Sequence, residues 1–256
     1  MLFRSWATPH LVNLEESDHL ANYQLLDPQR HAETKILETD TLFQLDRGLL
    51  CAAFTSEFRA MATDFPIVLI KDVNTGRFYC AALLGLSPEK LACFDQEGRW
   101  SDVYLPWSLK RQPLLIANKE EQDGGTTPMV SIDLDHPLVS SLGGQRVFEV
   151  DGTLSSTTEE KMAALRSIHA NVSATESFIN TLLELKLLTG IRIQGASRSG
   201  EPIVVDDIYG IDEDALRQLD SDTLGRLHRE SQLELIFLMV ASLGRVSAFT
   251  RQLNRL

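Results

Sequence analysis

The apolar, β-branched run Phe65-Pro-Ile-Val-Leu-Ile-Lys71 predicts a buried strand. Asp72-Val-Asn-Thr-Gly76 follows, its Asn and Gly tolerating the positive φ of a tight turn, and residues 77–86 return as the second arm of a hairpin. Residues 91–94 and 99–104, on either side of Asp95-Gln-Glu-Gly98, predict a second hairpin. Residues 113–117 and 129–133 add two strands, and the polar, glycine-bearing stretch 120–128 between them predicts an exposed loop. Strands this close in sequence, joined by tight turns, pair antiparallel. The first 45 residues are mixed, with a short strand predicted at 11–14 and a turn at Asp27-Pro28.

Beyond residue 153 the apolar spacing becomes helical. Met162, Leu165, Ile168, Val172, Thr175, Ile179 and Leu182 fall on one stripe, which predicts a long helix over 158–188. A capping box, Ser156 with Glu159 or Thr157 with Glu160, starts it, and Gly190 is placed to end it. Residues 191–194 and 202–205 predict a small hairpin, 211–219 and 220–229 short capped helices, and 231–255 a longer amphipathic helix. The expectation is therefore an α+β fold, a central antiparallel β-sheet region followed by a helical C-terminal half. It reads as a single domain over 1–256, β-rich at 45–150 and helix-rich at 153–256.

Composition adds exclusions. The chain has 256 residues, 43% hydrophobic and 23% charged, with a net charge of −12. That balance fits a globular protein and disfavours nucleic acid or an anionic lipid surface as partner. The most apolar stretch, 235–241, is too short for a membrane span, and Pro9 and His10 interrupt the place of an export signal, so a cytoplasmic location is expected. Cys51, Cys80 and Cys93 form no CxxC and lie in apolar strand-like contexts, which predicts inert packing thiols. Eight acids against one base lie within 201–222, and 244–256 holds three arginines and no acid. Helix electrostatics accounts for this unevenness, and a docking surface for a basic partner is the sharper alternative.

A set of ordered segments carries a family resemblance. Asp64-Phe-Pro-Ile-Val-Leu-Ile-Lys-Asp72, Arg77-Phe-Tyr79, Ala81-Ala-Leu-Leu-Gly-Leu86, Gly98-Arg-Trp100, Tyr104-Leu-Pro106 and Arg111-Gln-Pro113 resemble the bacterial SapC family. The pattern extends to Asp151-Gly152, Gly210-Ile-Asp212, Leu227-His228 and the helix 233–243, with Arg30-His31 and 50–58 upstream. The resemblance implies an accessory part in the transport or modification of surface-layer or other envelope proteins. It implies a protein or peptide partner.

Candidate chemistry falls into two readings. An aromatic concentration, Phe78, Tyr79, Phe94, Trp100, Tyr104 and Trp107, includes the alternating segment 99–108. Trp100, Tyr104 and Trp107 are either sheet core or a platform for a peptide or sugar, each with a flat apolar face and a polar handle. Under this reading the protein is a non-catalytic binding partner without a cofactor, its contact surfaces the 100–107 segment and the acidic 201–222 stretch. The second reading is an enzyme. His31 and Glu33, with His136 far downstream, supply two imidazoles and a carboxylate, and Arg146 a base for a cosubstrate acid. That set echoes Fe(II)/2-oxoglutarate enzymes acting on peptides or glycans. The SapC resemblance covers His31 and not His136. No GxSxG and no phosphate-binding glycine loop is present. A third reading, a structural subunit, buries the stripe of helix 158–188 against a second copy.

Overall fold

The computed structural model describes residues 12–13, 22–37, 48–87, 90–95, 99–120, 126–196 and 202–254. In chain order the elements begin with strands β1 (Val12–Asn13), β2 (Tyr23–Leu25), β3 (Lys35–Ile36) and β4 (Leu50–Ala52), then helix α1 (Phe58–Met61). Strands β5 (Ile67–Lys71), β6 (Phe78–Leu83), β7 (Gly85–Ser87) and β8 (Lys90–Leu91) lead to helix α2 (Trp107–Lys110). Next come β9 (Leu114–Glu120), β10 (Thr126–Asp133), β11 (Val139–Ser140), β12 (Gln145–Arg146) and helix α3 (Ser156–Glu184). Strands β13 (Leu188–Ala196) and β14 (Pro202–Ile211) precede α4 (Glu213–Arg217), α5 (Ser221–Arg229), α6 (Gln232–Ser242) and α7 (Arg245–Asn254). Antiparallel sheets with a helical C-terminal region make this an α+β protein. Contacts divide it into two compact units, 1–46, 96–100 and 107–170 in the first and 47–95, 101–106 and 171–256 in the second.

The first unit is built on the sheet β1-β9-β10-β2, antiparallel apart from the β1–β9 pairing. The register sets Ile132 against Leu114, both fully buried, and Asp133 against Tyr23. Of the expected loop 120–128, Glu120 ends β9 and Thr126–Pro128 begin β10, and the rest lies outside the described residues. A small sheet, β11-β3-β12, adjoins it in sequence. Gly144, between β11 and β12, has φ +91°, and a Cβ there would stand 2.2 Å from the Ile36 carbonyl oxygen.

The second unit centres on the sheet β13-β14-β5-β6-β4. The β5–β6 hairpin forms where the sequence predicts it. Asp72 Oδ1 accepts from the Asn74 and Thr75 amides and the Thr75 hydroxyl, and Gly76 takes φ +70°. The arms of the second predicted hairpin are linked, the Ser101 amide donating to the Cys93 carbonyl at 2.8 Å, and residues 96–98 of its turn lie outside the described residues. Leu91 of its first arm also belongs to β8, which pairs with β7, and Leu91 and Cys93 are buried. The predicted helix 231–255 is two helices, α6 and α7, parted at Gly244. By length and composition, 20 residues and mean hydropathy 1.6, Gln232–Arg251 is apolar enough to cross a bilayer. Within this fold it packs on the sheet: Ile236 and Met239 are buried, and the buried Ser242 hydroxyl accepts from the Ile67 amide at 2.8 Å while donating to the Met239 carbonyl at 2.7 Å.

Helix α3 begins one residue earlier than the capping box suggests. The hydroxyl of Ser155 accepts from the Thr158 amide at 3.3 Å, so Ser155 is the cap. Its other end departs further from expectation. Lys186, not Gly190, takes the left-handed conformation, φ +53°. Its amide donates to the Leu183 carbonyl and the Leu187 amide to the Leu182 carbonyl, the pair of bonds that closes a helix this way. Gly190 lies inside β13. Because a Cβ disfavours this conformation, Lys186→Gly is expected to stabilise the fold by about 0.5 kcal/mol, a rise of ~1–2 °C in the melting midpoint by calorimetry.

Candidate functional site

In the first unit, four segments gather titratable side chains: β2 brings Tyr23, the residue after α2 is Arg111, β10 ends at Asp133 with His136 three residues on, and the first turns of α3 carry Lys161. Lys161 is 3% exposed, since it shares a face of α3 with the buried Thr158, Leu165 and Ile168. Among the described residues its Nζ reaches only the Lys110 carbonyl, at 3.4 Å. Arg111 donates from Nη1 to the Leu114 carbonyl at 2.6 Å, and its Nε is sealed from water with no hydrogen-bond partner. Among the described residues, neither cation forms an ion pair with a carboxylate; Glu160, next to Lys161, reaches Lys110 instead, at 3.5 Å.

The electrostatics follow from that placement. Burial lowers the Lys161 ammonium to about 8, against an opposing pull from Glu160 and with a further push from Lys110. Burial first, then Arg111 and Lys161, lower His136 to about 4. Its Nδ1 accepts from the Leu138 amide at 3.1 Å, so the neutral ring carries its proton on Nε2. Burial and the nearby Asp133 raise the Tyr23 phenol, with Arg111 opposing, and burial raises the Asp133 carboxyl. At neutral pH the cluster therefore offers an ammonium, a guanidinium, an imidazole N–H and a phenol O–H, with the Asp133 carboxyl beside Tyr23. Unpaired buried cations are costly, so such a set is suited to an incoming anion.

The residues singled out from sequence fall differently. His31 is buried, with Nδ1 3.0 Å from both the amide and the carbonyl oxygen of Asp27. Glu33 is exposed and forked by Arg146, Nη1 to Oε1 at 3.2 Å and Nη2 to Oε2 at 3.0 Å. His136 belongs to the cationic cluster. The triad His31, Glu33, His136 is thus not assembled as a metal site: among the described residues no three His, Cys, Asp or Glu side chains are placed to hold a metal. Two cations acting on His136 would repel Fe(II), and Arg146 holds the would-be ligand Glu33. Trp100 and Trp107 are half-buried in the first unit, and Trp107 opens α2, its carbonyl accepting from the Arg111 amide at 2.9 Å. Tyr104 lies in the second unit. Its amide donates to Asp64 Oδ2 at 2.9 Å and its hydroxyl to the buried Glu57 at 3.0 Å, and burial followed by Glu57 raises the phenol.

Other groups take structural roles. Burial pushes Cys80 and Cys93 up to about 12, and with Cys51 they are buried thiols unsuited to nucleophilic work. In the acidic stretch, Asp212 and Asp220 cap α4 and α5, and Glu213 and Asp214 hold Arg217. Sequence reasoning missed Arg111 and Lys161. The spacing Thr158, Lys161, Leu165, Ile168 was the available signal, because it places the lysine on a buried stripe.

The fold and the cluster define an α+β protein with a buried Lys161 and a half-buried Arg111 that form no ion pair among the described residues. The chain belongs to the SapC family, whose model matches residues 26–249. No curated protein and no solved structure matches it.

Proposed function

We propose that this SapC family member is a non-catalytic accessory protein of the cytoplasm that holds a carboxylate of a polypeptide partner. The observation that carries the reading is a pair of cations, the buried Lys161 and the half-buried Arg111, without a carboxylate of their own among the described residues. Arg111 is only partly covered, which leaves the cluster within reach of a group arriving from solvent. Trp107, one turn before Arg111, supplies an apolar surface beside the charge. The family's link to surface-layer biology makes an envelope-destined polypeptide the partner class to examine first.

The test uses short N-acetylated peptides with a free terminal carboxylate and their amides, followed by thermal shift. The free acids are expected to raise the melting midpoint by at least ~3 °C at pH 7, as binding to the folded state alone requires, and the amides to leave it unchanged. The effect should fade above pH 9, where Lys161, at about 8 in the free protein, loses its charge. Equal shifts with acid and amide, or none with either, would remove the proposal.

A further inference from the structure

Among the described residues β13 is the terminal strand of its sheet and pairs with β14 alone over Leu188–Ala196. Among the described residues, no strand or loop hydrogen-bonds to its outer edge. Open edges of this length are commonly blunted, because their unpaired amides and carbonyls are templates for another strand. Two glycines lie within it. A Cβ at Gly190 or Gly195 would meet nothing within 4 Å, and neither has a positive φ. Nothing in the chain itself thus requires glycine at either place, although glycine weakens a strand interior. Glycine in a strand commonly marks the close approach of a ligand or another backbone.

Charge indicates what comes. β14 carries an irregularity between Ile191 and Ile193 in the pairing, where Asp206 and Asp207 stand across from Arg192. Both aspartates are exposed, Asp206 lying 3.9 Å from Arg192 and Asp207 in the left-handed conformation, φ +57°. β13 itself carries one charge, Arg192, the exposed carboxylates lie on β14 beside it, and the whole chain is at −12. A second copy, at the same net charge, would be repelled; a basic segment would be attracted.

We propose that the free edge of β13 receives an extended, basic polypeptide segment as an added strand. Backbone hydrogen bonds along the edge give the affinity, the two glycines leave room for bulky side chains of the incoming strand, and the carboxylates of the hairpin select for lysine and arginine. This surface lies in the second unit and is independent of the carboxylate site.

The probe is a fluorescein-labelled octapeptide of alternating Lys and Val, titrated with the full chain by anisotropy. Its comparators are the same peptide with alternate amides N-methylated and an alternating Glu-Val peptide. Each comparator is expected to bind at least tenfold more weakly. Gly190→Lys, which puts a positive charge on the edge, should weaken the Lys-Val peptide at least tenfold and leave the circular dichroism and melting midpoint near those of the parent. Lys161→Met should bind the peptide as the parent does. Equal affinity for the N-methylated peptide would overturn strand addition, as would no binding of the Lys-Val peptide. A concentration-dependent dimer that excludes the peptide and is abolished by Gly190→Lys would assign the edge to a second copy instead.

Discussion

Lys161→Met is expected to raise stability at pH 7 by about 2–3 kcal/mol, ~5–10 °C in the melting midpoint, and to abolish the response to carboxylates. The magnitude follows from the interval between the ordinary lysine value of 10.5 and about 8 in the fold, which corresponds to roughly 3 kcal/mol. Below about 8 both folded and unfolded chains carry the proton, and the folded state bears the whole penalty of the buried charge. Between about 8 and 10.5 the unfolded chain binds more protons, so the parent gains stability as pH rises. Urea denaturation at pH 7 and pH 10.5 measures this directly: the parent should be more stable at the higher pH through Lys161, and the variant should lack that increment. A variant that is less stable than the parent at pH 7 would show that the ammonium is already compensated. His136 contributes with the same sign at lower pH. Its folded value of about 4, against 6.5, means stability present above 6.5 and lost as pH falls toward 4.

Gly144→Ala should cost about 3 kcal/mol and lower the melting midpoint by ~6–12 °C. Two effects add. The backbone at φ +91° disfavours any side chain, and the new Cβ would lie 2.2 Å from the Ile36 carbonyl oxygen and 2.8 Å from the Leu37 amide nitrogen. These are backbone atoms of β3 and the residue after it, and β3 is held on both sides by β11 and β12, so they cannot rotate away as a side chain would. Gly143→Ala is the internal control, because its Cβ meets only Leu37 Cδ2, at an ordinary 3.5 Å, and should cost under ~1 kcal/mol. Equal losses at the two positions would point to a general effect on the loop.

The parts of the fold that could be read from sequence are those whose cause is local. The β5–β6 hairpin announces itself because one carboxylate, Asp72, satisfies the turn that the apolar run leads into. The body of α3 is legible because its stripe repeats over many turns. Its end is not: Gly190 is the better residue for a left-handed close, yet the chain leaves the helix at Lys186, where Leu187, fully buried, enters the core. The cationic cluster was hidden for a similar reason. Lys161 betrays itself only by its spacing on the stripe of Thr158, Leu165 and Ile168, and Arg111 follows a four-residue helix with no pattern of its own. Only the pairing of β2, β9 and β10 and the packing of α3 gather them, and no local spacing encodes that.

The two units also impose an order on synthesis. The segment 47–95 belongs to the second unit, yet it is followed by 107–170, which completes the first, before 171–256 arrives. β5 must wait for its neighbour β14, with Ile70 pairing Ile208. At about 5–20 residues per second the ribosome needs roughly 7–28 s to make the chain between them. Through that interval Ile67 and Leu69, both inaccessible in the finished protein, belong to a half-made sheet. Slowing elongation between β5 and β14 should therefore lower the yield of folded protein.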